Sequence, residues 1–417
     1  MSRELVEAQR PIRVLRSVAW PQALMERFFS SGERELPRPE YKVDRRIYTA
    51  IQVLDELAAR TDPRDPGEAL LKRSAESFAL AGRMLDAIGS KRLYAISREL
   101  YGAPNDQTRD PRVTNKDLAL HILDLASGYR DKDLGGPPPA VLPAEEVARE
   151  LRHRFRRFFG DDAPRVSVVG ALSARAVAGS AQVRLRGRTG FSEAELIRLE
   201  HHEGYVHVAT TLNGKRQPIL DALGLLSPRA VRVQEGLAVF AELMAQALDL
   251  ERLKTIAARV VGIHMAAEGA DFLELYRFFR EHTETREEAF DATRRVVRGG
   301  LVTGGAPLTK DLCYLDGLFT VYSFLRAAIV RRRPELVRLL FVGKVDTSDL
   351  PELVALAEEG LLELPRFSPS WGKDLRFLAA QMGLSALMTQ TDASAWMRYC
   401  DELMERVSSP ERSEVDA

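Results

Sequence analysis

Three of the seven histidines in this 417-residue chain, His201, His202 and His207, fall within one run of seven residues, and the helix that carries them cannot be a regular one. Its start is well specified. Ser192 followed by Glu195 makes a capping box, and Phe191 with Leu196 stands in the positions of a hydrophobic staple, which places the first helical residue at Glu193. His202, Glu203 and His207 then read H-E-x-x-x-H. On a helix of 3.6 residues per turn, positions five apart diverge by roughly 140°, too far for two imidazoles to share an ion through bonds of about 2 Å. The familiar zinc-protease pattern spaces its histidines four apart, on one face. The extra residue therefore predicts a π-bulge that brings positions five apart nearly into line, with Gly204 as its expected seat. His201, six residues before His207, faces away.

Two imidazoles leave a catalytic zinc one protein ligand short. Ser227 and Pro228 open a further helix that runs through QEGLAVFAELMAQAL, and Glu235 and Glu242 lie two turns apart on it. Glu235 is the preferred third ligand, because Gln234, Gly236 and Ala238 allow another helix and a metal to approach, whereas Glu242 is set among Phe240, Leu243 and Met244. The expected zinc ligands are thus His202, His207 and Glu235. Glu203, adjacent to a ligand and unable to bind the same ion without strain, is the expected general base and acid. Tyr314 is the candidate donor to an oxyanion. Arg298 and Lys310 are candidates to pair with a substrate's terminal carboxylate. Stabilising a helix C-terminus (Arg298) and neutralising Asp311 or Asp316 (Lys310) carry equal weight. Asn213 is a candidate substrate contact, with a role holding the local turn beside Gln217 as the stronger alternative. His121, His153, His264 and His282 read as ordinary core or surface histidines.

Composition narrows the function classes. Sixty Lys plus Arg balance sixty Asp plus Glu, so no net charge draws the chain to nucleic acid or an anionic membrane, and neither is an expected partner. The N-terminus does not read as a secretory signal, and two cysteines, Cys313 and Cys400, are too few for a disulfide framework. A cytoplasmic protein is expected. The longest apolar stretch, Leu312 to Val330, contains Asp316 and Arg326 and reads as a buried core helix.

The fold class expected is α+β, predominantly helical. Residues 1–131 show helical periodicity throughout, including Ile47, Ile51, Leu54 and Leu57, then Leu71, Ala75, Phe78 and Leu85. A Pro/Gly-rich linker is expected over 132–143, followed by a catalytic domain over 144–417 with a helical C-terminal part. Within it, Val166–Ala171 and Ala181–Arg186 read as strands, and the second, if it lies at an edge, could pair with an extended peptide.

The strings HEGYVHVATTLNGKRQP and QEGLAVFAE resemble the bacterial QEGLA-motif proteins, named for an effect on flavohaemoglobin expression. More distantly the chain is similar to the microtubule-associated tyrosine carboxypeptidases. RVVRGG (Arg295 to Gly300), TKDLCYLDGL (Thr309 to Leu318) and SRELYG (Ser97 to Gly102) extend the likeness. The resemblance implies a zincin-like core with a small sheet, His202, His207 and Glu235 as ligands, and Glu203 as the catalytic acid. Residues and resemblance together lead to the expectation of a zinc metallopeptidase that removes a C-terminal residue, tyrosine or another aromatic by the resemblance, from a protein or peptide. The rival readings are a zinc hydrolase of another amide and a regulatory or scaffold protein with a structural metal site.

Overall fold

The computed structural model describes residues 1–129, 134–136, 139–170, 172, 175–179 and 181–408. The N-terminal third is helical because its apolar residues recur at helical spacing, and two of its helix starts are capped by side chains. Helix α1 (Arg46–Arg60) buries Ile47, Ala50, Leu54 and Leu57 against α2 (Pro66–Asp86), whose first turn is capped by the Asp65 side chain. Helix α3 (Lys91–Tyr101) ends at Gly102, where φ is +84°. Helix α4 (Asn115–Ser127) begins with a capping box between Thr114 and Asp117. Of the expected linker over 132–143, residues 132, 133, 137 and 138 lie outside the described residues.

The hydrophobic clusters cross that linker. Trp20, Leu24, Phe28 and Ala119 share one cluster with Val233, Leu237, Ile256 and Leu315. Leu54, Leu71 and Phe78 share another with Leu223, Val342 and Leu353.

Helix α5 (Ala144–Phe159) buries Val147, Leu151, Phe155 and Phe159 and packs on a three-stranded sheet. The strands are β1 (Arg165–Val169), β2 (Ala176–Ala178) and β3 (Gln182–Arg186), in the order β1-β3-β2. β1 runs parallel to β3 with Val166 opposite Val183, and β2 runs antiparallel with Ala178 opposite Val183. The strand that could have taken a peptide had it lain at an edge, β3, is the central one. The sequence did not give β2 away, because three small residues make no alternating pattern. Ala171, expected to end the first strand, lies outside the described residues.

Helix α6 (Glu193–Leu199), a π-helix (Glu200–Val208) and α7 (Ala209–Lys215) form one continuous rod that starts with the expected Ser192–Glu195 capping box. Beside it lies α8 (Val231–Met244), entered through a 3-10 turn at Pro228–Ala230 and buried on nearly every side. Helix α9 (Leu250–Ala267) packs on α4, α10 (Arg286–Val297) and α11 (Leu312–Val330), α11 runs along α8, and α12 (Leu350–Glu358) packs on α2. Helix α11 is long and apolar enough to span a bilayer, and here its Leu312, Leu315, Val321 and Leu325 lie in the same cluster as α8. α8 and α11 meet backbone to backbone. A Cβ on Gly236 would stand 2.1 Å from the Gly317 carbonyl, so only glycine permits this approach.

Candidate metal centre

The π-helical turn changes which side chains share a face. His202 and His207 are brought to one side, their ring centroids 4.9 Å apart and their planes at 88°. Across from them, the first turns of α8 present Glu235: its Oε2 lies 3.7 Å from His202 Nε2 and 3.6 Å from His207 Nε2. All three candidate ligand atoms fall within 4.8 Å of one another. Gly204 has a packing reason as well as a helical one, since a Cβ there would stand 2.2 Å from the fully buried Phe155 ring.

These residues fit an ion. Glu235 Oε2 is buried and has no hydrogen-bond partner among the described residues, an expensive arrangement for a carboxylate oxygen unless a cation meets it. A tetrahedral zinc with bonds of about 2.0–2.1 Å sets its ligand atoms about 3.3 Å apart, only slightly closer than Glu235 Oε2 stands to either imidazole nitrogen. The His202 ring is oriented from behind, where Glu242 Oε1 lies 2.7 Å from Nδ1 and leaves Nε2 facing Glu235. Glu242 is fixed in turn by Arg252, whose Nε and Nη2 each donate to it at 3.0 Å. The carboxylate considered second for a ligand thus orients one.

Without an ion, the charges in this pocket are unevenly placed. Burial disfavours the charged imidazole of His202, but Glu235 and Glu242 outweigh it and push its pKa up to about 9. Burial holds His207 below the ordinary histidine value, against the pull of Glu235. Glu235 stays well below the usual carboxylate range despite its burial, because Lys310 and the two imidazoles favour its ionised form.

Glu203 lies on the sheet side of the pocket. Its Oε2 accepts from the backbone N–H of Ala178 at 3.1 Å. Gly179 N–H donates to Gln182 and Arg186 N–H to Arg175, with Val177 opposite Arg184, so alternate positions 176 and 178 turn outward from the sheet. The outward edge of β2 therefore borders Glu203.

A cationic cluster continues from Glu235. Lys310 Nζ donates to Glu235 Oε1 at 3.1 Å, while Arg295 binds Asp311, with Nη2 to Oδ1 at 3.0 Å, and Arg232 pairs with Asp316 at 2.9 Å. Lys310 therefore neutralises neither aspartate, and its contact is the candidate ligand rather than a free anion site. Tyr314 lies with Lys310, Arg259 and Arg295 at 5.7, 5.7 and 6.0 Å from its ring centroid. Burial pushes its phenol pKa up, so it remains a proton donor. Arg298, the residue that caps α10 at its C-terminus, is buried and belongs to the same charge cluster. Arg259 and Arg298 have buried Nε atoms without partners among the described residues, and burial with the nearby Arg295 pulls both guanidinium pKa values down to about 10. The expectation for Asn213 is corrected. Its amide donates to the carbonyls of Phe341 and Phe367 at 2.7 Å each, and its Oδ1 accepts from Phe367 N–H, so this buried side chain is spent on holding the fold.

Sequence reasoning missed Arg252, Arg259, Arg295, Lys344 and the Ala178 amide. Arg259 had a signal: it interrupts the run Ala257, Ala258, Val260, Val261, a placement that an arginine occupies only with partners. A separate cleft of about 410 Å³, lined by Glu146, Arg149, Glu150 and Arg154, includes none of these residues.

Fold and site together define a helix-rich α+β protein in which two histidines on a π-helix and a glutamate on the neighbouring helix form a candidate metal centre. The family model described as microtubule-associated tyrosine carboxypeptidase matches residues 26–390. The chain belongs to that family, which its motifs had suggested as the more distant of two likenesses. A comparison with curated proteins gives no match.

Proposed function

We propose that this protein is a zinc-dependent carboxypeptidase with a zincin-like core, acting on the C-terminus of a protein or peptide. The observation that carries the reading is the buried, unpartnered Glu235 Oε2 facing two imidazole nitrogens at 3.6–3.7 Å. His202, His207 and Glu235 would hold the ion. Zinc in such a site supplies Lewis acidity toward a carbonyl and lowers the pKa of water to about 7. Glu203 takes the proton of the attacking water and returns it to the leaving amine, its carboxylate oriented by the Ala178 N–H. Tyr314 donates to the developing oxyanion. The two guanidiniums of this charge cluster with an unpartnered Nε, Arg259 and Arg298, receive the terminal carboxylate, a task for which Lys310 is already committed elsewhere. An extended substrate lies along the outward edge of β2.

The family description makes a C-terminal tyrosine the first residue to test. Purified protein is assayed for zinc and incubated with peptides that differ only in the last residue, beside a Glu203→Gln variant. Loss of one terminal residue by the native protein, with retained zinc and about 10²- to 10⁴-fold slower turnover in the variant, is the expected result. Native protein that binds no zinc, or that cuts internally, overturns it.

A further inference from the structure

The π-helix that makes the site possible needs support where it ends. The N–H of Ala209 reaches Gly204 O, five residues back, while the chain from Ala209 onward is α-helical. At such a switch two successive carbonyls claim one N–H, and one must find another donor. The carbonyls that follow the switch are met by side chains. The Thr210 hydroxyl lies 2.7 Å from Val206 O and the Thr211 hydroxyl 2.7 Å from His207 O. Lys344 Nζ, from a loop distant in sequence, donates to the same His207 carbonyl at 3.1 Å and reaches Gln234 Oε1 at 3.4 Å.

Lys344 is 9% exposed and forms no ion pair within 4 Å among the described residues, a costly position for an ammonium that has only these contacts. Its loop is pinned. Lys344 N–H donates to Leu223 O, Asn213 binds Phe341 O, and Gln217 binds Val342 O. Gly214 lets α7 touch the Leu223 backbone, where a Cβ would stand 2.3 Å away. Asn213, Gly214 and Gln217 thus build the cradle that delivers Lys344 to the rod. Gln234, which precedes Glu235, ties the same ammonium to the helix of the third candidate ligand.

We propose that Lys344 is a positioning residue: with Thr210 and Thr211 it holds the carbonyls at the junction of the π-helix with α7, and so sets the His207 imidazole relative to Glu235. Its consequence for metal rests on the proposed function; its geometry does not. The test compares native protein with Lys344→Met and Thr210→Val by amide hydrogen exchange over residues 207–213 in metal-free protein, with α1 as an internal control, and by zinc affinity from chelator competition. Lys344→Met is expected to exchange at least about tenfold faster over 207–213, unchanged in α1, and to bind zinc about 10- to 100-fold more weakly. Native-like exchange over 207–213 overturns the clamp, and faster exchange with native zinc affinity overturns the positioning role. Should Lys344→Met fail to fold, Thr210→Val decides by the same readouts. Should the native protein bind no zinc, the proposed function fails, and the exchange measurement alone decides whether the clamp exists.

Discussion

At the scale of single residues, the side chain behind a candidate ligand matters as much as the ligand. Glu242 is fully buried, faces His202 Nδ1 at 2.7 Å and takes two hydrogen bonds from Arg252. Replacing it by glutamine removes the charge that favours Nδ1–H and leaves Arg252 short of its partner. Glu242→Gln should weaken zinc binding by about 10- to 100-fold while the folded state persists; equal affinities in chelator competition would show that Glu242 serves packing alone. Arg298 makes a different prediction. If it receives the terminal carboxylate, Arg298→Ala loses a charge-assisted contact of about 1.5–3 kcal/mol, so kcat/KM should fall roughly 10- to 100-fold with zinc content unchanged. An unaltered kcat/KM assigns the carboxylate to other groups. The grouping of His202, His207 and Glu235 was legible in the sequence because sharing an ion would demand particular residue types at restricted spacings. Asn213 misled for the opposite reason: an amide suits a substrate or a carbonyl equally, and only the fold shows Phe341 and Phe367 beside it.

At the scale of elements, the arrangement depends on close approach. The five-residue histidine spacing announced the π-helix, since no regular helix satisfies it, and the capping box at Ser192 set its origin. The short strand β2 announced nothing, although its Ala178 amide reaches Glu203. Glycines in the motifs were legible as permissive residues, but what they permit is tertiary. Gly236 allows α8 to lie on α11 at Gly317, and that contact sets where Glu235 projects. Gly236→Ala places a methyl 2.1 Å from backbone that has no rotamer to escape into. The helices must separate, at about 1–3 kcal/mol for overpacking and with Glu235 carried outward. A lower urea midpoint together with weaker zinc binding is the expected pair of results. A lower midpoint with native zinc affinity would mean that the ligand's position is set elsewhere on α8.

At the scale of the whole molecule, the site is held by helices drawn from both sides of the linker segment and by charges buried between them. Asp311 is the anionic hub of that charge cluster: its side chain is 2% exposed, bound by Arg295, with Arg259 Nε at 3.9 Å. Burial alone would raise its pKa, but these arginines outweigh burial and hold it far below the ordinary value of 3.8. A carboxyl depressed on folding stabilises the native state fully above its unfolded pKa, and that contribution fades as pH falls beneath it toward the folded value. Asp311→Asn leaves two guanidiniums buried without their counter-charge, which costs about 3–5 kcal/mol at pH 7. Below about pH 4 the native protein progressively loses the same contribution, so the gap between native and variant should be widest near neutrality and narrow with acid. Urea unfolding from pH 7 to pH 3 measures it. A gap that stays constant over that range would show that the arginines around Tyr314 do not depend on the Asp311 charge, and the cluster would then be held by packing from α9 and α10 alone.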